Sequence, residues 1–269
     1  MNKTVSSYLF FVFLSTFFIA CSAPYQSNNI QVSNFKSVYT SSGKFTYHLH
    51  NREKNPTIIM ESNVGDGLTI WNQAVNNLTI NNNVLLYNRA GYDLSISNAT
   101  TRSVEIVVNE LKQILEELGL KPPYIFVSHS FGSLYVEYFA KKYPFDLSGV
   151  VFIDPWLSNL NRICKNNGLH SCKPSTISSY LYQELDYINH NTNQLKTMKP
   201  YTNIPTVIIS SYNKSKQNSN FMDVWLESHY EFLDDIDNAK HIICKNCGHY
   251  IHLENPQIIN ESLLWILEQ

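Results

Sequence analysis

The sequence predicts an α/β protein in which a mostly parallel sheet carries helices on both faces. From residue 57 to residue 268, apolar runs of strand length alternate with helical patterns, apart from one interval, and such alternation predicts parallel strands joined by crossover helices. The strand runs are continuously apolar, as suits strands covered on both faces. At the centre, Tyr124, Ile125, Phe126 and Val127 lead through Ser128, His129, Ser130, Phe131 and Gly132 into a helical run at 134–142. A strand, a tight turn and a helix meet at one serine. In such sheets ligands bind at the carboxyl ends of the strands.

The N-terminus reads as a targeting segment. Lys3 gives a positive start, residues 8–19 an apolar run too short to span a bilayer comfortably, and Phe18, Ile19, Ala20 and Cys21 its end. These last four residues resemble the bacterial lipobox, with Phe18 in place of the usual leucine. The resemblance implies a signal peptide at 1–20, a diacylglyceryl group on Cys21 and a lipid-anchored protein of the bacterial cell envelope, at the outer membrane or periplasmic face. A secretory signal cleaved after Ala23 is the alternative, and gives a secreted protein. Two or more acyl chains would hold the protein at a membrane stably. Residues 21–34 form the tether, polar from Ser22 onward.

A chain of 269 residues, 43% of them hydrophobic, can bury one large core or two small ones. The net charge of −2 offers no basic excess, so no nucleic-acid partner is expected. Five cysteines less a lipidated Cys21 leave four in a chain that leaves the cytoplasm. Disulfides 164–172 and 244–247 are the most local of three connectivities. A zinc site with His170 or His249 is the rival reading, and a redox role for Cys244 and Cys247 a weaker one.

In chain order, residues 35–40 and 44–50 read as a hairpin across Ser41, Ser42 and Gly43. Pro56 introduces a buried strand at 57–61. The Gly-rich turn of Ser62, Asn63, Val64, Gly65, Asp66 and Gly67 leads to a helix with Trp71, Val75 and Leu78 on one side. Val84 to Tyr87 read as the next strand. Residues 103–118 are an amphipathic helix ended by Gly119, and Pro122 and Pro123 open the central strand. Residues 149–153 form the sixth strand, closed by Asp154 and Pro155. The interval 156–204 is aromatic and polar, has helix-like pieces such as 177–188, and reads as a cap over the site, not a separate domain. Strand 206–209, an acidic amphipathic helix at 221–236, strand 240–244 and a helix at 257–267 behind Pro256 complete the chain.

The turn at Ser130 resembles the nucleophile elbow of the α/β-hydrolase family, with Ser128 in place of the first glycine of its G-x-S-x-G pattern. A capping serine is the plainer reading of Ser130. After the last strand, Gly248 and His249 precede Pro256 at the family's spacing. The resemblance covers residues 35–269 and implies the α/β-hydrolase fold with a cap after the sixth strand. It also implies a Ser130 nucleophile, a His249 general base and an oxyanion hole made by the amides of Val64 and Phe131. His252 is expected to be a hydrogen-bonded structural neighbour, and His129 to point away from the site. Arg89, where the family has Asp-Arg-x-Gly, either braces loops beneath the site or is an exposed charge.

Many family members keep the acid after the seventh strand, where Asn213 stands and no carboxylate occurs. Asp154, at the end of the preceding strand, is the expected acid. Asp223 comes next, though it also suits the start of a helix.

Together these residues imply acyl-enzyme catalysis on a small or lipid-like carboxylic ester, with no metal and no cofactor. Trp156, Tyr180, Tyr182 and Tyr187 suggest an apolar acyl or aryl group. A proline iminopeptidase-like aminopeptidase, using Glu184 and Asp186 to hold an amine, is one alternative. A catalytically silent hydrolase fold acting as a binding lipoprotein is the other.

Overall fold

Alternate residues of each central strand face opposite sides, so strands apolar at every position must be covered twice. In the computed structural model, which describes residues 35–50, 54–169, 172, 182–212 and 219–269, this is how the chain packs. The chain order is β1 (Lys36–Thr40), β2 (Gly43–His50), β3 (Lys54–Glu61), α1 (Asn72–Asn76), β4 (Asn82–Tyr87), β5 (Ile96–Ser97), α2 (Val104–Glu117), β6 (Tyr124–His129), α3 (Ser133–Lys142) and β7 (Leu147–Ile153). It continues with α4 (Leu160–Asn166), α5 (Tyr182–Asp186), α6 (Ile188–Thr197), β8 (Thr206–Ser211), α7 (Ser219–Leu233), β9 (Ala239–Cys244), α8 (Ile251–Glu254) and α9 (Gln257–Leu267).

Among the described residues, nine strands form one sheet in the order β1-β2-β4-β3-β6-β7-β8-β9, with β5 beside β2. β2 runs antiparallel to β1, β4 and β5, and the pairs from β4 through β9 are parallel. Ile59, Phe126, Val150, Phe152 and Ile208 face one apolar cluster with α2, α3 and the interval 156–204. Ile58, Met60, Ile125, Val127, Val151, Ile153, Val207 and Ile209 face a second, with α1, α8 and α9. The side-chain alternation of the strands divides the core in two.

Local signals explain most element ends. Ser103 caps α2, its hydroxyl accepting from the Ile106 amide at 3.3 Å, and Gly119 ends that helix in the left-handed region at φ 68°. Three features differ from the sequence reading. β3 starts at Lys54, ahead of Pro56, because Lys54 pairs with Asn82. The two-residue β5 was not expected; it exists only because Ile96 and Ser97 lie alongside Lys44 and Gly43. α1 is a short helix behind a 3-10 turn, Leu68–Trp71.

The interval 156–204 supplies α4, α5 and α6, and its polar ties to the body are buried. The Ser158 amide and hydroxyl donate to Glu137 of α3 at 3.0 and 2.5 Å. Asn191 of α6 accepts from the Val104 amide at 2.9 Å and donates to the Arg102 carbonyl at 3.3 Å. The helix expected at 177–188 is present as α5 in its described part; Tyr180 and residues 173–179 lie outside the described residues. Cys164 is bonded to Cys172 and Cys244 to Cys247, so these thiols stand in the two local disulfides and not in a metal set. Residues 1–34, with Cys21 and the tether, also lie outside the described residues.

Candidate active site

β6 delivers Ser130 to the carboxyl edge of the sheet, where the chain must reverse into α3 within a few residues. Ser130 takes φ 51°, in the left-handed region that residues other than glycine rarely occupy. The turn lies hard against the end of β3: a Cβ on Gly132 would stand 2.3 Å from the Ser62 carbonyl oxygen, so only glycine fits there. Ser128, at the place of the family's first glycine, is wholly buried, and its hydroxyl bonds the Ser133 hydroxyl at 3.0 Å. That bond satisfies a polar group in a position made for a smaller residue.

The His249 side chain, about a third exposed, approaches from the loop between β9 and α8. Its Nε2 lies 2.8 Å from Ser130 Oγ and its Nδ1 lies 2.6 Å from Asp154 Oδ2. A carboxylate only accepts, so Nδ1 carries the proton and Nε2 is left to accept from the serine. Asp154 sits at the end of β7 with φ 42°, a second non-glycine residue in the left-handed region. Its oxygens accept from the Ser211 amide at 2.9 Å, the Ser211 hydroxyl at 2.9 Å and Trp225 Nε1 at 3.0 Å. Burial pushes this carboxyl up, but the hydrogen bond and charge of His249, the charge of His229 and the Ser211 amide together hold it below its ordinary value. The strained turns are tied to each other, the Trp156 amide donating to the Ser130 carbonyl at 2.9 Å. Asp223 lies exposed on α7, and Asn213 is outside the described residues.

The Phe131 amide is not open: it donates to Asn63 Oδ1 at 3.3 Å. The Asn63 carbonyl accepts from Arg89 Nη2 at 3.1 Å, and the Ser62 carbonyl from Arg89 Nη1 at 2.7 Å. The Asn63–Val64 peptide is trans, so the Val64 N–H points away from Arg89. Of the two readings of Arg89, the brace is the one observed; its side chain is 2% exposed.

Two histidines differ from expectation. His129 points away from Ser130 but still reaches the site, its Nε2 lying 2.9 Å from the His249 carbonyl. Among the described residues, His252 finds no hydrogen-bond partner for either ring nitrogen. Its ring is packed between Trp71 and His129 at 4.8 and 4.5 Å, and burial, then the charge of His249, pushes its pKa down to about 3. Sequence reasoning missed Trp225 and Ser211 as holders of Asp154. Nothing in their local sequence marks them; they meet it through the fold.

The architecture is the α/β-hydrolase fold. No family model matches the chain. It is similar to the uncharacterized protein YqjL of Bacillus subtilis, 25% identical over 236 residues that span 85% of this chain and 90% of that one. Among solved structures, a hydrolase from Pseudomonas aeruginosa superposes with a TM-score of 0.62 at 15% identity, covering 89% of this chain and all (100%) of the other. A thermophilic esterase from Thermogutta terrifontis superposes with a TM-score of 0.59 at 12% identity, covering 87% and 98%.

Proposed function

We propose that the protein is a serine hydrolase that cleaves a small or lipid-like carboxylic ester through an acyl-enzyme. The observation that carries this reading is the hydrogen-bonded chain Ser130–His249–Asp154, with the serine on a strained turn at the start of α3. Ser130 Oγ attacks the ester carbonyl while its proton passes to His249 Nε2. Asp154, kept ionised by its donors, stabilises the imidazolium. The amides of Phe131 and Val64 hold the oxyanion once Asn63 Oδ1 has left the former. Collapse expels the alcohol, which takes the proton from His249. Water then repeats the sequence, releasing the acid and restoring Ser130.

An ester is preferred over an aminopeptidase substrate for a physical reason. Glu184 accepts from Arg89 on both oxygens, at 2.7 and 2.9 Å, and from the Tyr92 hydroxyl at 2.6 Å, so it has little capacity left for a substrate amine. Asp186 is exposed. Trp156 and Trp225, with ring centroids 5.9 Å apart beside the acid, favour an apolar acyl group. The likeness to a solved esterase agrees with this choice.

The test is labelling of the full chain with a fluorophosphonate. Labelling should vanish in Ser130→Ala and fall at least a hundredfold in His249→Ala and Asp154→Asn, but persist in Asp223→Asn, by the usual cost of removing triad members. Folded wild type that does not label would leave the binding-lipoprotein reading in place. We propose in addition that Cys21 carries the lipid that holds the enzyme at the cell envelope, which rests on residues 18–21 alone. Cells fed radiolabelled palmitate should label the wild type and not Cys21→Ala; label on neither removes the anchor.

A further inference from the structure

We propose that the cap sets the oxyanion loop through one buried contact: Glu184 of α5 grips Arg89, and Arg89 in turn holds the carbonyls of Ser62 and Asn63. This inference rests on the hydrolase reading and assigns Glu184, Arg89 and Tyr92 as positioning residues for the Val64 amide.

A guanidinium has five N–H donors in a fixed plane, so what it meets is set by what surrounds it. Arg89 spends two on Glu184, at 2.7 Å from Nε and 2.9 Å from Nη2. Nη1 donates to Glu61 and, at 2.7 Å, to the Ser62 carbonyl, while Nη2 reaches the Asn63 carbonyl at 3.1 Å. Tyr92 completes the bracket: its hydroxyl donates to Glu184 Oε2 at 2.6 Å and accepts from the Gly65 amide at 2.9 Å. Three backbone groups of the loop, on residues 62, 63 and 65, are thereby fixed on one side of Val64 and the other. A peptide plane is rigid, so pinning the Asn63 carbonyl fixes the direction of the Val64 N–H.

Of all these partners, only Glu184 belongs to the cap; the others lie on β3, on its following loop and on the loop after β4. The two carboxylates on Arg89 are unequal. Burial raises the Glu61 carboxyl above its ordinary value in spite of Arg89 and Tyr87. For Glu184 burial also raises, but the Arg89 charge and the hydrogen bonds from Arg89 and Tyr92 outweigh it and the net direction is down. Glu184, which accepts from both Nε and Nη2, is the counter-charge that the cap supplies to Arg89. Without it, a buried guanidinium would be left to turn toward Glu61 or water, and the loop carbonyls would lose their fixed donor.

The experiment compares wild type with Glu184→Gln, and with Tyr92→Phe as the milder change, using p-nitrophenyl butyrate and its thiono analogue. Sulfur is a poor acceptor for oxyanion-hole donors, so the ratio of oxygen-ester to thiono-ester kcat/KM reads the hole itself. Hydrogen exchange of the segment 62–67 is measured on the same samples, with a thermal melt to establish folding. We expect the ratio to fall about tenfold or more in Glu184→Gln, toward the range for loss of one hole donor, and exchange at 62–67 to quicken, with Tyr92→Phe moving both the same way. Equal loss on both esters, or unchanged exchange in a folded variant, overturns the proposal. Wild type that cleaves neither ester counts against the hydrolase reading, and the exchange result still decides whether the cap holds the loop.

Discussion

His129 Nε2 donates to the backbone carbonyl of His249 at 2.9 Å, so the residue before Ser130 holds the loop that carries His249. A carbonyl can only accept, which fixes the tautomer of His129 with its proton on Nε2. Burial, then the charges of His252 and His249, keeps this imidazole well below its ordinary pKa and therefore neutral.

Replacing His129 with Leu removes that tether and leaves the His249 carbonyl without this donor. Ester kcat should fall about three- to tenfold with KM little changed, the size of one net hydrogen bond, and His129→Gln should recover part of it. Steady-state kinetics on the three proteins checks this. A proportionate rise in KM would point to a substrate contact instead.

Asn63 occupies the Phe131 amide with its own oxygen, so under the proposed mechanism a substrate carbonyl must displace it. Its side chain is also hydrogen-bonded to Asp66 and Tyr250, which keeps it in place. Asn63→Ala should accelerate fluorophosphonate labelling about two- to tenfold, since a weak internal bond no longer competes. A slower reaction would show instead that the Asn63 amide assists the transition state.

Acid should destabilise the fold through histidines buried neutral, His229 and His252 together with His129. Burial lowers His229 to about 4 and His252 to about 3, against 6.5 for the free side chain. Both folded values are depressed, so stability is complete above pH 6.5 and is lost as pH falls through the window down to about 4 and 3, because the unfolded chain there binds more protons. Each histidine should cost about 2 kcal/mol between pH 7 and pH 5. Urea denaturation at both pH values measures the loss, and His252→Leu should reduce it by about a third.

Gly132→Ala places a Cβ 2.3 Å from the Ser62 carbonyl oxygen and 3.0 Å from Glu61 Cγ. Neither neighbour can yield easily, since the first is backbone and the second is wholly buried. The strain should lower stability by about 1–3 kcal/mol and push the turn at Ser130 away from the loop after β3. The melting temperature and the labelling rate should fall together; a stable variant with full labelling would mean that the two loops can part without harm.

The sequence carried the sheet and the positions of Ser130, His249 and Asp154 because those signals are local: an apolar run, a small-residue turn, an acid closing a strand. What it concealed was held by partners remote in the chain. Glu184 lies 95 residues from Arg89, and Trp225 lies 71 residues from Asp154. Arg89 read equally well as a surface charge, since nothing near it in sequence shows that it would be buried between two glutamates. β5 escaped for a different reason: two residues are too few to show a period, and they are extended only because β2 is beside them. His252, expected to find a hydrogen bond, lies among aromatic rings contributed by the 3-10 turn before α1, by β6 and by the loop before α8, a surrounding that no window of the sequence displays.

Leu157, Leu160, Ile163, Leu185, Ile188 and Leu195 of the cap share one apolar cluster with α2, α3 and the near face of the sheet. Among the described residues, the interval 156–204 therefore has no core of its own to take with it. It is not an exchangeable cassette: a segment grafted in its place from a relative would arrive with side chains shaped to another protein's α2 and α3, and it could be exchanged only in step with the framework beneath it.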